Sequence, residues 1–199
     1  PIYIDFGPTS LSATPWNNIT SHQESSTTSW IKDVENNYTN IGVRVLDGFT
    51  ATHAGVGSEP ASPVTVDGVE FPLTAWKDGL LVKGEKNQGD VGPGRIEISQ
   101  LDVARKYNFT ILAIRFNGSK DARISSYKLV GKTESAVKEV KTGIKDAASF
   151  AAANFEEYIA KFENVEPDSE GKVIVEVKGL DTGSAAEGHI NALCISLAK

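Results

Sequence analysis

Residues 172–180 run Lys-Val-Ile-Val-Glu-Val-Lys-Gly-Leu, so that Val173, Val175 and Val177 alternate with Ile174, Glu176 and Lys178. A period of two puts the three valines on one side of the chain, which suits a strand with one buried face and does not suit a helix. Comparable stretches occur at residues 2–6, 41–46, 94–101, 107–116, 123–130 and 189–197, each bounded by Gly, Pro, Asn or Asp. Shorter strands are expected at 64–69, around an Asp67-Gly68 turn, and at 79–82. The 107–116 stretch is apolar on both faces, Phe109, Ile111 and Ala113 against Leu112, Ile114 and Phe116, and therefore belongs at a sheet centre. The pattern predicts an all-β chain.

One segment competes with that reading. Residues 146–164 have the Ala, Glu, Lys and Phe content of a helix, yet Tyr158, Ala160 and Phe162 alternate with Ile159, Lys161 and Glu163. A strand over 157–163, preceded by at most one short helix, is expected there. Residues 8–33 and 50–63 are rich in Ser, Thr, Asn and Gly and read as long loops, which in a compact domain commonly carry function. No internal repeat or shift in composition divides the 199 residues, so one domain over 1–199 is expected.

Charge and cysteine content narrow the function. Twenty Lys and Arg against 26 Asp and Glu give a net charge of −6, which repels a phosphate backbone, so no nucleic acid partner is expected. Cys194 is the single cysteine, so no internal disulfide can form. With only His22, His53 and His189, no zinc-finger spacing exists. No apolar run is long enough for a membrane span. The absence of Met and the start at Pro1 suggest a trimmed mature chain. No G-x-S-x-G, H-E-x-x-H or G-x-x-x-x-G-K-[ST] motif occurs, residues 89–94 have the wrong spacing for a dinucleotide loop, and no catalytic residue is assigned.

Several short motifs follow a recognisable order. Asp5-Phe6-Gly7 closes the first strand and Trp16-Asn17-Asn18-Ile19 follows it. Tyr107-Asn108-Phe109-Thr110 runs into Ala113-Ile114-Arg115, and Arg123 opens a strand containing Tyr127. Asn164-Val165-Glu166-Pro167-Asp168 precedes the strand led by Gly171, and Ile190-Asn191-Ala192-Leu193 comes last. In this order, over residues 2–197, the chain resembles the galactose-binding-like jelly-roll domains of secreted bacterial proteins, including malectin-like domains and many carbohydrate-binding modules. The resemblance implies an antiparallel two-sheet β-sandwich of about eight or nine strands. Members bind sugars or have no known ligand, so the expectation is a non-catalytic, secreted, periplasmic or cell-surface module with a polysaccharide or glycan partner, its alternatives a glycan-active hydrolase and a structural or adhesion module without a small ligand. The resemblance allows a structural calcium ion near the termini, although Cys194 stands where an acidic residue commonly follows the Asn-Ala-Leu motif.

Candidate binding residues follow from sugar chemistry, since a pyranose offers C–H faces to an indole and hydroxyls to amides and charged groups. Trp16 with Asn17 and Asn18, and Trp76 with Asp78, supply an indole beside polar side chains on expected loops; Trp30 is the third indole. Their alternative is packing and loop bracing. Arg115, Asn117 and Arg123 sit near one hairpin end and can read hydroxyls or a carboxylate. Their alternative is a structural ion pair, with Asp121 or Asp102 as partner. His189 and Asn191 are expected on one face with Leu193 and Ile195, and Asp5 beside Asn191 is the candidate for a cation site.

Overall fold

The computed structural model describes residues 1–83, 93–116, 123–180 and 187–199. Asn117, the turn at 118–121 with Asp121, and residues 89–92 lie outside that set. Strands make up 48 % of the chain and no helix reaches seven residues, so the fold is all-β, as the alternation predicts.

Two sheets face each other. One has five strands in the order Ile159–Val165, Tyr107–Leu112, Ala192–Leu197, Ile2–Phe6 and Trp16–Ile19. The other has six, in the order Lys138–Lys141, Ile124–Val130, Val173–Gly179, Gly94–Ser99, Gly42–Asp47 and Thr27–Thr28. All neighbours are antiparallel except Ile2–Phe6 and Trp16–Ile19, which run parallel. Between the sheets, Ile4, Phe109, Ile111 and Leu193 meet Val45, Ile96, Ile98 and Val175 in a continuous apolar core. The three valines of the 172–180 segment are fully buried, as their period requires. Each such side chain contributes about 1.5–3 kcal/mol.

The Tyr107–Leu112 strand is central, and both of its faces are used. Phe109 and Ile111 enter the main core, while Leu112 enters a second apolar cluster on the outer face of the five-stranded sheet. There the hairpin Val64–Val66/Val69–Phe71, turning at Asp67-Gly68, packs with a one-turn helix, Leu73–Trp76, and with Phe150. The remaining expected strands form with shifted ends or breaks. The 107–116 stretch stops at Leu112 and resumes as Arg115–Phe116, paired in parallel with Gly143–Ile144. The 189–197 stretch breaks at Asn191, which puts His189 in a separate three-stranded sheet of Glu187–Ile190, Gly79–Lys83 and Ala51–His53. These breaks and the short added strands raise the count above eight or nine.

In the ambiguous 146–164 segment tertiary pairing prevails over helix propensity. Asp146 caps a five-residue helix, Ala147–Ala151, by accepting a 2.8 Å hydrogen bond from the Ser149 N–H, and a 3₁₀ turn, Phe155–Tyr158, follows. Ile159–Val165 is then a strand beside Tyr107–Leu112, with Ala160 and Phe162 in the main core. Two short helical turns precede it, one more than expected.

The break at Asn191 is held by its own amide. Oδ1 accepts from the Ile114 N–H at 2.8 Å, and Nδ2 donates to the carbonyls of Trp76 (2.9 Å) and Asp78 (2.7 Å). Asn191→Asp keeps the acceptor, loses both donors and buries a charge against two carbonyls. It is expected to lose about 3 kcal/mol or more in urea unfolding, whereas Arg105→Ala, which removes an exposed pair with Asp102, should lose under about 1 kcal/mol.

Candidate functional site

Trp16, Asn17 and Asn18 lie on a strand, not on the expected loop. Only four residues long and partly polar, this strand forms because its backbone completes the edge beside Ile2–Phe6. Asn17 donates to the carbonyls of Tyr3 (2.9 Å) and Lys32 (2.8 Å) and accepts from the Lys32 N–H at 2.8 Å. Asn18 accepts from the Ser12 N–H and donates to the Ser12 carbonyl, at 2.8 and 3.0 Å. Both amides brace backbone. Trp16 is half-buried, its ring 5.1 Å from that of Tyr3 and 5.6 Å from that of Phe71.

Trp76 does not line a groove. It ends the one-turn helix, is fully buried, stacks on Phe150 at 4.9 Å and donates from Nε1 to the Ser62 carbonyl. Phe150 and the hairpin, both distant in sequence, cover it. Asp78 is also buried, and its Oδ2 accepts from the N–H groups of Thr9 (2.7 Å) and Ser10 (3.1 Å). Gly7 makes this possible. Its φ is +139°, and a Cβ there would stand 2.5 Å from Asp78 Oδ2. Trp30, by contrast, is 68 % exposed.

Arg115 and Arg123 do come together. Arg123 is 4 % exposed and its Nη2 lies 3.3 Å from Glu187 Oε2, so the partner among the described residues is Glu187, not Asp102; Asp121 lies outside them. Arg115 is half-buried, and its Nη1 donates to the Ala54 carbonyl at 3.0 Å. The buried rings of His53 and His189 meet edge to face at 5.0 Å beside them. A contact of 3.5 Å from His189 Nε2, together with Arg123, holds the Glu187 carboxyl down to about 2. Arg123→Ala is expected to lose about 3–5 kcal/mol, because it leaves Glu187 uncompensated.

Asp5 and Asn191, the residues considered for a cation, are both buried: the Asn191 oxygen accepts from Ile114, its nitrogen donates to the Trp76 and Asp78 carbonyls, and burial raises the Asp5 carboxyl to about 7. Among the described residues no group of three or more His, Cys, Asp or Glu could hold a metal ion.

The arrangement that sequence reasoning missed is a row across the outer face of the five-stranded sheet. Register aligns Trp16, Tyr3, Cys194, Thr110 and Lys161 side by side on five strands. At a strand spacing of about 4.8 Å the row spans about 19 Å. Asn108 and Ser196, paired on neighbouring strands, border it, and a cleft of about 250 Å³ runs along Tyr3, Thr110, Lys161 and Ser196. Lys161 pairs with Asp67 at the hairpin tip and so fixes one wall. Burial pushes the Cys194 thiol up to about 11, so it stays protonated at neutral pH. The opposite outer face, on the six-stranded sheet, has a different character: Glu176 pairs with both Arg95 and Lys128. Alternation alone could not reveal the row, because four long-range pairings create it.

The buried titratable groups set opposing pH dependences. Burial is the main cause that lowers the pKa of both His53 and His189, so below about 6.5 the unfolded chain takes up protons that the folded chain refuses, and stability falls toward acid. Asp5 is raised, so the unfolded carboxyl ionises from about 4 upward while the folded one keeps its proton to about 7, and stability falls as pH rises through that window. Asp5→Asn removes the Asp5 contribution that opposes the histidine effect. Its melting temperature should drop more steeply than the parent's between pH 6.5 and 4, as measured by circular dichroism.

No family model matches the chain, and no curated protein matches its sequence. Solved structures that align with it include two of known context. TmCBM61 in complex with β-1,4-galactotriose shares 13 % identity, covers 61 % of this chain and 71 % of its own, and gives a TM-score of 0.34. The plant receptor-like kinase ANX1 shares 8 % identity over 91 % of this chain and 56 % of its own, with a TM-score of 0.41. Neither likeness is close enough to assign a ligand.

Proposed function

We propose that this β-sandwich is a non-catalytic carbohydrate-binding module of a secreted or cell-surface glycan-handling system, and that it holds an oligosaccharide along the outer face of its five-stranded sheet. The observation that carries the reading is the row from Trp16 and Tyr3 to Lys161, with an open cleft along its part from Tyr3 to Lys161. The aromatic pair gives C–H faces a place to stack, and Thr110, Asn108, Ser196 and Lys161 answer hydroxyls. Sugar hydroxyls are already well solvated, so stacking supplies most of the surplus and affinity falls roughly in the micromolar to millimolar range.

Two features favour binding over turnover. The Cys194 thiol is protonated, which removes it as a nucleophile at neutral pH. The carboxyls with raised pKa, the kind a general acid needs, are Asp5 and Asp78, and both are fully buried away from solvent.

Trp16→Ala should weaken neutral oligosaccharide binding at least tenfold, read by calorimetry and tryptophan fluorescence over a glycan panel, while the melting temperature falls only a few degrees. Trp30→Ala should leave affinity unchanged; loss of binding in that variant alone would move the platform to the exposed indole. Release of reducing ends by the parent protein would overturn the non-catalytic reading.

A further inference from the structure

The two arginines at the other functional candidate are not fully satisfied. Nε and Nη1 of Arg123 and Nε of Arg115 are buried donors with no hydrogen-bond partner. Among the described residues, Glu187 is the one carboxylate within ion-pair distance of either guanidinium. Glu59, the other acidic group that influences Arg115, turns its carboxylate to the N–H groups of Val56 and Gly57 at the surface. His53 and His189 stay neutral at pH 7 because burial lowers both pKa values. Among the described residues, two guanidiniums with one carboxylate at ion-pair distance therefore leave three buried N–H donors without an acceptor, which is costly unless an anion joins them.

We propose that Arg115 and Arg123 form a pocket for a single negative charge carried on a sugar, either a carboxylate or a sulfate ester. The planar guanidinium edges supply parallel N–H donors of the kind that oxyanions accept. Arg123, anchored by Glu187, forms the floor. Half-buried Arg115, held at the exposed Ala54 carbonyl, forms the mouth. The pocket lies beside the three-stranded sheet and uses none of the residues of the sheet-face row. The sugar as carrier of the charge rests on the carbohydrate-binding reading; the anion pocket does not.

The test is thermal shift and calorimetry on the full chain at pH 7 and constant ionic strength, with sodium glucuronate, glucose 6-sulfate, the uncharged methyl ester of glucuronate, and glucose as probes. Either charged sugar should raise the melting temperature by several degrees, and whichever does so names the charged group; the neutral probes should not. Arg115→Ala should abolish the response. Glu187→Gln, which removes the competing internal carboxylate, should tighten it at least fivefold, a gain that a purely structural ion pair would not produce. Equal responses to charged and neutral sugars, or a response that survives Arg115→Ala, would overturn the proposal. Loss of the anion response with neutral oligosaccharide binding intact would remove this pocket alone, and the converse would remove the sheet-face site alone.

Discussion

Asn191 joins parts of the fold that no single strand connects. Its backbone N–H donates to the Leu112 carbonyl and its carbonyl accepts from Phe6, while its amide reaches Ile114, Trp76 and Asp78. The five-stranded sheet, the small three-stranded sheet and the one-turn helix all meet on that one buried residue. An amide suits the position because it offers donors and an acceptor in one plane, with no charge to bury. The separation of the two functional candidates follows from it. On one side Ala192–Leu197 carries Cys194 and Ser196 to the outer sheet face, and on the other Glu187–Ile190 carries Glu187 and His189 to the arginines.

The outer faces of the two large sheets show how pairing divides labour. On the six-stranded sheet, Glu176 pairs with both Arg95 and Lys128, which pair further with Asp47 and Glu134, and the result is a solvated ionic surface. On the five-stranded sheet, half of the outer face is sealed by the hairpin, Trp76 and Phe150, and the rest keeps Tyr3 and half-buried Trp16 beside small polar side chains.

Local period was legible in the sequence; partners far along the chain were not. The 172–180 and 107–116 segments announce their strands because burial repeats every second residue, and the strand after 146–158 was legible for the same reason. The Trp16–Ile19 strand was hidden, since its pairing with Ile2–Phe6 is a backbone affair that side chains do not encode. The role of Trp76 was misread because Phe150, 74 residues later, covers it. A structural ion pair was the alternative reading for Arg115 and Arg123, and Arg123 makes one, but with Glu187, 64 residues away. Of the candidate site, the indole at 16 and the two arginines were visible as residue types. The row that surrounds the first and the unpartnered donors of the second emerge only when distant strands are set side by side.

The Ile2–Phe6 strand sits between Ala192–Leu197 and Trp16–Ile19. Its main partner is therefore not synthesised until almost the whole of the chain described here has been made. Before then, Ile4 and Phe6 have no sheet to enter, and the five-stranded layer has a gap at its middle. Closing so long a loop carries a large entropic cost, and folds dominated by such distant pairings are slow to form. Assembly of this sandwich is thus a late event, completed when the last strand slides between the first and the central one, and until that moment its apolar edges depend on staying apart from those of other chains.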